Sequence, residues 1–198
     1  MEIYVVNPGD TVDSIAAAKY VSVDTILYNN QLEYPYELAV GQALLLSTGE
    51  SGQAAKTVEV NGYAYPFIQP DVLDATLPYL SELSVFSYGF TLEGDLIFPT
   101  LDDTFMIEAA IAGGTSPVLT LTPFGPDGRF SNYLISSVVH NPDARENLIG
   151  QLVQTVQEKG FRGVDIDFEY ILAEDAVAFA EFVANVRLAI NEIGYPVS

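Results

Sequence analysis

The sequence predicts an α/β protein in two parts: a small strand–helix–helix–strand unit, then a larger domain of parallel strands joined by helices. Three observations carry this. From Thr57 onward, β-branched and aromatic runs alternate with stretches of helical periodicity, a pattern that puts parallel strands under helical crossovers. Residues 3–46 hold two short apolar runs on either side of two capped helical stretches. Finally, Gly163-Val164-Asp165-Ile166-Asp167-Phe168-Glu169-Tyr170 alternates apolar and acidic residues with the period of a strand.

Composition narrows the function classes. At 198 residues with 49% hydrophobic content, the chain suits one or two domains with an ample core. Against 7 Lys+Arg stand 27 Asp+Glu, a formal net charge of -20, so a nucleic-acid backbone or an anionic membrane surface is repelled and a neutral partner fits better. The absence of Cys excludes disulfides, thiolate catalysis and Cys-based zinc sites. No cofactor or metal is implied. The single histidine, His140, precedes Asn141-Pro142 and reads as a loop residue. The N-terminus has no basic region followed by an apolar run, so no Sec-type signal is expected, and no stretch is long enough to span a bilayer.

In the first unit, residues 1–47, Ile3-Tyr4-Val5-Val6 reads as a strand and Pro8-Gly9 as a turn. Asp10 is expected to cap a helix over residues 11–19, with Asp13 returning the bond three residues later. Ser22 caps a second helix that Asn29-Asn30 ends, and Ala43-Leu44-Leu45-Leu46 is the second strand. The run Tyr4-Val5-Val6-Asn7-Pro8-Gly9-Asp10-Thr11-Val12, with Asn29-Asn30 and Leu38-x-x-Gly41-Gln42-x-Leu44, resembles the LysM module. That resemblance implies binding of N-acetylglucosamine-containing glycans, peptidoglycan or chitin, by Gly9, Asp10, Thr11 and Val12 facing the segment from Tyr36 to Leu38. Residues 48–56, small and polar, read as a flexible linker.

In the second part, residues 57–198, strands are predicted at 58–65, 83–88, 118–122 and 163–170. Helices are predicted at 71–80, started by Pro70, at 101–112, ended by Gly113-Gly114, from Asn141-Pro142 to Gly160, and at 174–193. Leu148, Leu152 and Val156 recur every four residues and give the third helix a core face. Tyr195-Pro196-Val197-Ser198 reads as the start of a fifth strand.

The acidic strand has two chemistries. Val164, Ile166 and Phe168 share one face and Asp165, Asp167 and Glu169 the other. Three like charges a few ångströms apart cannot all ionise cheaply away from water, so at least one carboxyl titrates high. A protonated carboxyl beside an ionised one is what glycosidic cleavage uses. On period alone, an edge strand with a solvated acidic side, or an Asp-x-Asp pair on a hard cation, fits as well.

Gly163-x-Asp165-x-Asp167-x-Glu169 also resembles the signature of glycoside hydrolase family 18. Residues 61–67 and 83–90 look like the LysM-bearing branch associated with spore cortex lysis. The resemblance implies a (β/α)8 TIM barrel with the acid strand fourth, and a substrate-assisted retaining mechanism. Glu169 would be the general acid, Asp167 the group that orients the substrate's acetamido, and Asp165 its proton-sharing neighbour. Tyr63, Tyr65, Tyr88 and Tyr170 are then placed to stack on sugar rings, in an enzyme of spore cortex or cell wall. A full barrel takes about 250 residues and eight strand–helix units, whereas four are read here. The chain is therefore expected to be the N-terminal half of a barrel, inactive alone, with its first and fourth strands as open edges that invite self-association. Two other functions stay open: a LysM carbohydrate-binding protein whose barrel portion is non-catalytic, and a metal-dependent sugar-nucleotide glycosyltransferase.

Overall fold

The structure, a computed structural model, describes residues 2–47 and 58–198. The chain divides into two compact units at Thr57/Val58. The linker expected at 48–56 lies outside the described residues.

In the first unit, β1 (Glu2–Val5) pairs antiparallel with β2 (Ala43–Leu46), and α1 (Val12–Lys19) and α2 (Val23–Asn30) lie between them in sequence. Val6, Val12, Ile15, Ile26, Leu44 and Leu46 are buried together. The cap of α1 differs from expectation. Thr11, not Asp10, is the N-cap: its hydroxyl accepts from Ser14 N at 3.1 Å, and Ser14 Oγ accepts from Thr11 N at 2.9 Å. Asp10 sits one residue too early and closes the preceding turn instead, accepting from Asn7 N at 2.7 Å and Tyr4 Oη at 2.8 Å. Those bonds hold its carboxyl below the ordinary aspartate value. Ser22 caps α2 as expected.

The second unit runs β3 (Asn61–Ala64), α3 (Pro70–Thr76) with a 3-10 turn at Leu77–Tyr79, β4 (Glu82–Phe90), β5 (Leu96–Ile97), α4 (Thr104–Gly113), β6 (Ser116–Leu121), α5 (Asn132–His140), α6 (Pro142–Lys159), β7 (Val164–Ile166) and α7 (Ala176–Glu192). The sheet order β3-β4-β6-β7 is parallel throughout, as strand–helix alternation requires, and β5 folds back antiparallel on the end of β4. Leu83, Val85, Leu119, Leu121 and Val164 bury one face of the sheet in a core shared with Leu148, Leu152, Val156, Phe182, Val186 and Ile190. Among the described residues, no helix is long and apolar enough to cross a membrane.

Three features depart from the sequence reading. First, an extra helix, α5, precedes α6. Its apolar residues Leu134, Ile135, Val138 and Val139 are buried, and Asn141, held at ψ 105 before Pro142, ends α5 and caps α6. Second, β7 stops at Ile166. Asp167 N still donates to Leu121 O at 2.9 Å, but the next rung would need an N–H from Pro123, which has none. Third, the fourth strand is not an open edge. Val164 N donates to Pro196 O at 3.2 Å, Ser198 N to Val164 O at 3.0 Å and Ile166 N to Ser198 O at 2.9 Å, so residues 196–198 start the next parallel strand.

Candidate active site

The acid strand is held from below by aromatic packing. Phe168 stacks on Phe90 and Phe182, with ring centroids 5.5 and 5.8 Å apart, and lies 5.8 Å from Phe179. With Val164 and Ile166 also packed into the helix-side core, the alternation sends Asp165 and Asp167 to the inner face, and Glu169 follows beyond the end of β7.

The three carboxylates have graded environments. Asp165 is buried and accepts two hydrogen bonds, from Tyr63 Oη at 2.7 Å and from Ser198 Oγ at 3.1 Å. Its hydrogen bond pushes the Tyr63 phenol up to about 12, with burial adding to the effect, so Tyr63 stays a donor at any physiological pH. Asp167 is half-buried. Desolvation first, then the charges of Glu169 and Asp165, raise its carboxyl above the ordinary value. Glu169 is exposed, three residues beyond the end of β7. Thr120, register partner of Asp165 on β6, has a buried hydroxyl with no hydrogen-bond partner among the described residues.

Asp167 and Glu169 open onto different recesses. That at Asp167, of about 380 Å³, is walled by Tyr63, Tyr65 and Phe86; that at Glu169, of about 230 Å³, by Pro123, Phe130, Asn132 and Tyr170. Tyr65 stacks on Phe67 and meets Phe86 edge-on, both at 4.9 Å between centroids. Tyr63 and Tyr65 are about half exposed and Tyr170 is 82% exposed. The exposed rings and carboxylates together make a surface that can both stack on a pyranose and hold or give a proton.

Tyr88 does not belong to this surface. It is fully buried on the helix side, donates to Asp103 Oδ2 at 2.5 Å and accepts from Lys159 Nζ at 3.0 Å. Period two from Ser84 and Phe86 would have kept it on the inner face, but the β4–β6 register shifts between Val85 and Tyr88 and turns it over. His140 is also placed differently from expectation: it is the last residue of α5 and pairs with Asp175 at 2.8 Å. Sequence reasoning missed Phe86, Phe130 and Asn132. Only Phe86 had a signal, its position two residues from Ser84. The other two are brought in by the turn after Pro123, where Phe130 bridges to Phe124.

In the first unit, Gly9, at φ +90, Asp10 and Thr11 form the β1–α1 turn. Val12 is only 3% exposed, so its side chain builds the core and only its backbone can reach a ligand. Leu38 packs partly against the same core. Tyr34 and Tyr36 meet edge-on at 5.6 Å.

The fold is a small strand–helix–helix–strand unit followed by part of a chitinase-like barrel. Residues 4–47 match the family model described as LysM domain. The chain is 30% identical over 249 aligned residues to the cortical fragment-lytic enzyme of Bacillus cereus, covering 100% of this chain and 57% of that protein. It is also similar to the crystal structure of the Bacillus cereus spore cortex-lytic enzyme SleL, at 28% identity and a TM-score of 0.68, over 98% of this chain and 45% of that one. A chitinase from Chromobacterium violaceum, at 19% identity and a TM-score of 0.62 over 71% of this chain and 44% of its own, shares the fold. The chain spans about half the length of the curated relatives it matches.

Proposed function

We propose that residues 58–198 supply the catalytic strand of a retaining glycosidase that cuts β-1,4 bonds after N-acetylglucosamine, and that residues 4–47 hold it on peptidoglycan- or chitin-type glycan in spore cortex or cell wall. The observation that carries this reading is the arrangement around Asp167: its carboxyl is raised, it lies between Asp165 and Glu169, and Tyr63 satisfies Asp165 from across the sheet.

In this mechanism Glu169 gives its proton to the leaving oxygen while the substrate's own acetamido oxygen attacks the anomeric carbon. Asp167 accepts the acetamido N–H and balances the positive charge that develops on the cyclised group. Asp165, fixed by Tyr63 and Ser198, sets its charge beside Asp167 and helps to raise the Asp167 carboxyl above its ordinary value. Water then opens the cyclic intermediate, returning a proton to Glu169. The scheme is an exception to the two-carboxylate arrangement of most glycosidases, so one strand can carry all three acids.

The test is hydrolysis of cortex or chitin oligosaccharide by the full polypeptide that the gene encodes, against its Glu169→Gln variant and against a chelator. The proposal expects loss of activity in the variant by about 10²–10⁴-fold and none with chelator. Glycan breakdown unchanged in Glu169→Gln would leave a LysM glycan-binding protein with a non-catalytic barrel portion, and loss of activity on chelation would point to metal-dependent glycosyl transfer.

A further inference from the structure

The helix that sequence reading missed carries a polar stripe. Asn132, Ser136 and His140 recur at i, i+4 and i+8 and so lie along one side of α5, with the buried Leu134 and Val138 on the other. All three residues grip the same segment, the one that follows Glu169. Asn132 Nδ2 donates to the Tyr170 carbonyl at 3.1 Å. Ser136 Oγ donates to one carboxylate oxygen of Asp175, and His140 Nε2 meets the other at 2.8 Å. Asp175, only 3% exposed, is the N-cap residue of α7, and its own N–H donates to Leu172 O at 2.9 Å.

The segment needs such a grip. Tyr170 has φ +55, a left-handed conformation that a bulky side chain adopts only where its surroundings hold it. No strand pairing continues past Asp167, so nothing in the sheet fixes Glu169. The apolar contacts of α5 already account for its packing, which leaves the stripe free for another task.

We infer that Asn132, Ser136 and His140 are positioning residues, a clamp that fixes residues 170–175 at both ends and through them the carboxyl of Glu169. The inference rests on the glycosidase reading for its catalytic part, while the clamp itself is a property of the fold. Asn132 and Tyr170 are also two of the walls beside Glu169, so the clamp shapes the recess that this acid borders.

Two readouts test it. Amide hydrogen exchange on the 198-residue chain should show residues 170–175 exchanging about tenfold faster in Asn132→Ala/Ser136→Ala, with Val164–Ile166 unchanged. In the gene's full polypeptide, kcat should fall about tenfold or more with KM within about twofold, since a misplaced acid affects the transition state and not ground-state binding. His140→Gln, which keeps a donor for Asp175, should recover most of what His140→Ala loses, and Tyr133→Ala, on the exposed side of α5, should change neither readout. If the double variant does not fold, Asn132→Ala alone carries the comparison. Unchanged exchange at 170–175 would overturn the clamp, and faster exchange with unchanged kcat would overturn its positioning role. A parent without activity would count against the glycosidase reading, and the exchange comparison would still decide the clamp.

Discussion

Two tyrosine–aspartate pairs sit on opposite faces of one sheet. Tyr63 donates to Asp165 at 2.7 Å on the inner face, and Tyr88 donates to Asp103 at 2.5 Å on the helix face. On the helix face Lys159 completes the set, ion-paired to Asp103 and within 5.6 Å of the Tyr88 ring centroid, so the negative charge is matched. On the inner face, among the described residues, no Lys or Arg hydrogen-bonds to the acids, and Asp167 and Glu169 lie beside Asp165. The same pair is thus a structural pin in one place and part of a frustrated cluster in the other. What marks the candidate site is acid left without a counter-charge, not acid as such.

The comparison can be broken in order of expected effect. The largest should come from Glu169→Gln, which removes the proposed general acid and is expected to lower hydrolysis by about 10²–10⁴-fold with little change in melting temperature. Next comes Lys159→Met, which leaves Asp103 buried and unpaired. Urea unfolding should show a loss of about 3–5 kcal/mol, the usual result of stripping one partner from a buried pair. Tyr63→Phe should cost less on unfolding, about 1–3 kcal/mol, but lower kcat about tenfold, since the buried Asp165 loses one of its two donors.

Smaller effects concern pH. Asp167 binds its proton more tightly folded than unfolded, so it favours the folded state at low pH, and that contribution is lost as pH rises through its folded-state value. Asp167→Asn should therefore melt higher than the parent at pH 7, with the gap closing below the ordinary aspartate value of 3.8, even as activity is lost. Asp175 is the reverse case. Hydrogen bonds from Ser136 and then His140 depress its value, so its contribution is present above 3.8 and is lost as pH falls through the folded-state value. A melting-temperature profile of Asp175→Asn against the parent should show a deficit at neutral pH that shrinks in acid.

Much of this was legible in the sequence because it rests on short-range periodicity. The alternation assigned Val164 and Ile166 to the core and Asp165 and Asp167 to the inner face, and the LysM unit was readable from its strands and helices. What escaped depended on events that no local pattern records. A register shift turned Tyr88 away from its expected side, and Pro123 ended the ladder one rung after Ile166. His140 was read as a loop residue because its partner, Asp175, lies 35 residues away, and Asn132 gained meaning only from the Tyr170 carbonyl 38 residues on. The cap at Thr11 rather than Asp10 was a shift of one residue between two good capping types, the scale at which helix ends are hardest to read.

The most direct test of the central claim is the anomeric form of the first product, followed by proton NMR as the gene's full polypeptide cuts an N-acetylglucosamine oligosaccharide. The proposed catalysis, by acids in and just after β7 with the substrate's acetamido as nucleophile, predicts the β-anomer at first, before mutarotation, and no cleavage of the fully de-N-acetylated oligomer. An initial α-anomer, or equal cleavage of the de-N-acetylated oligomer, would contradict it.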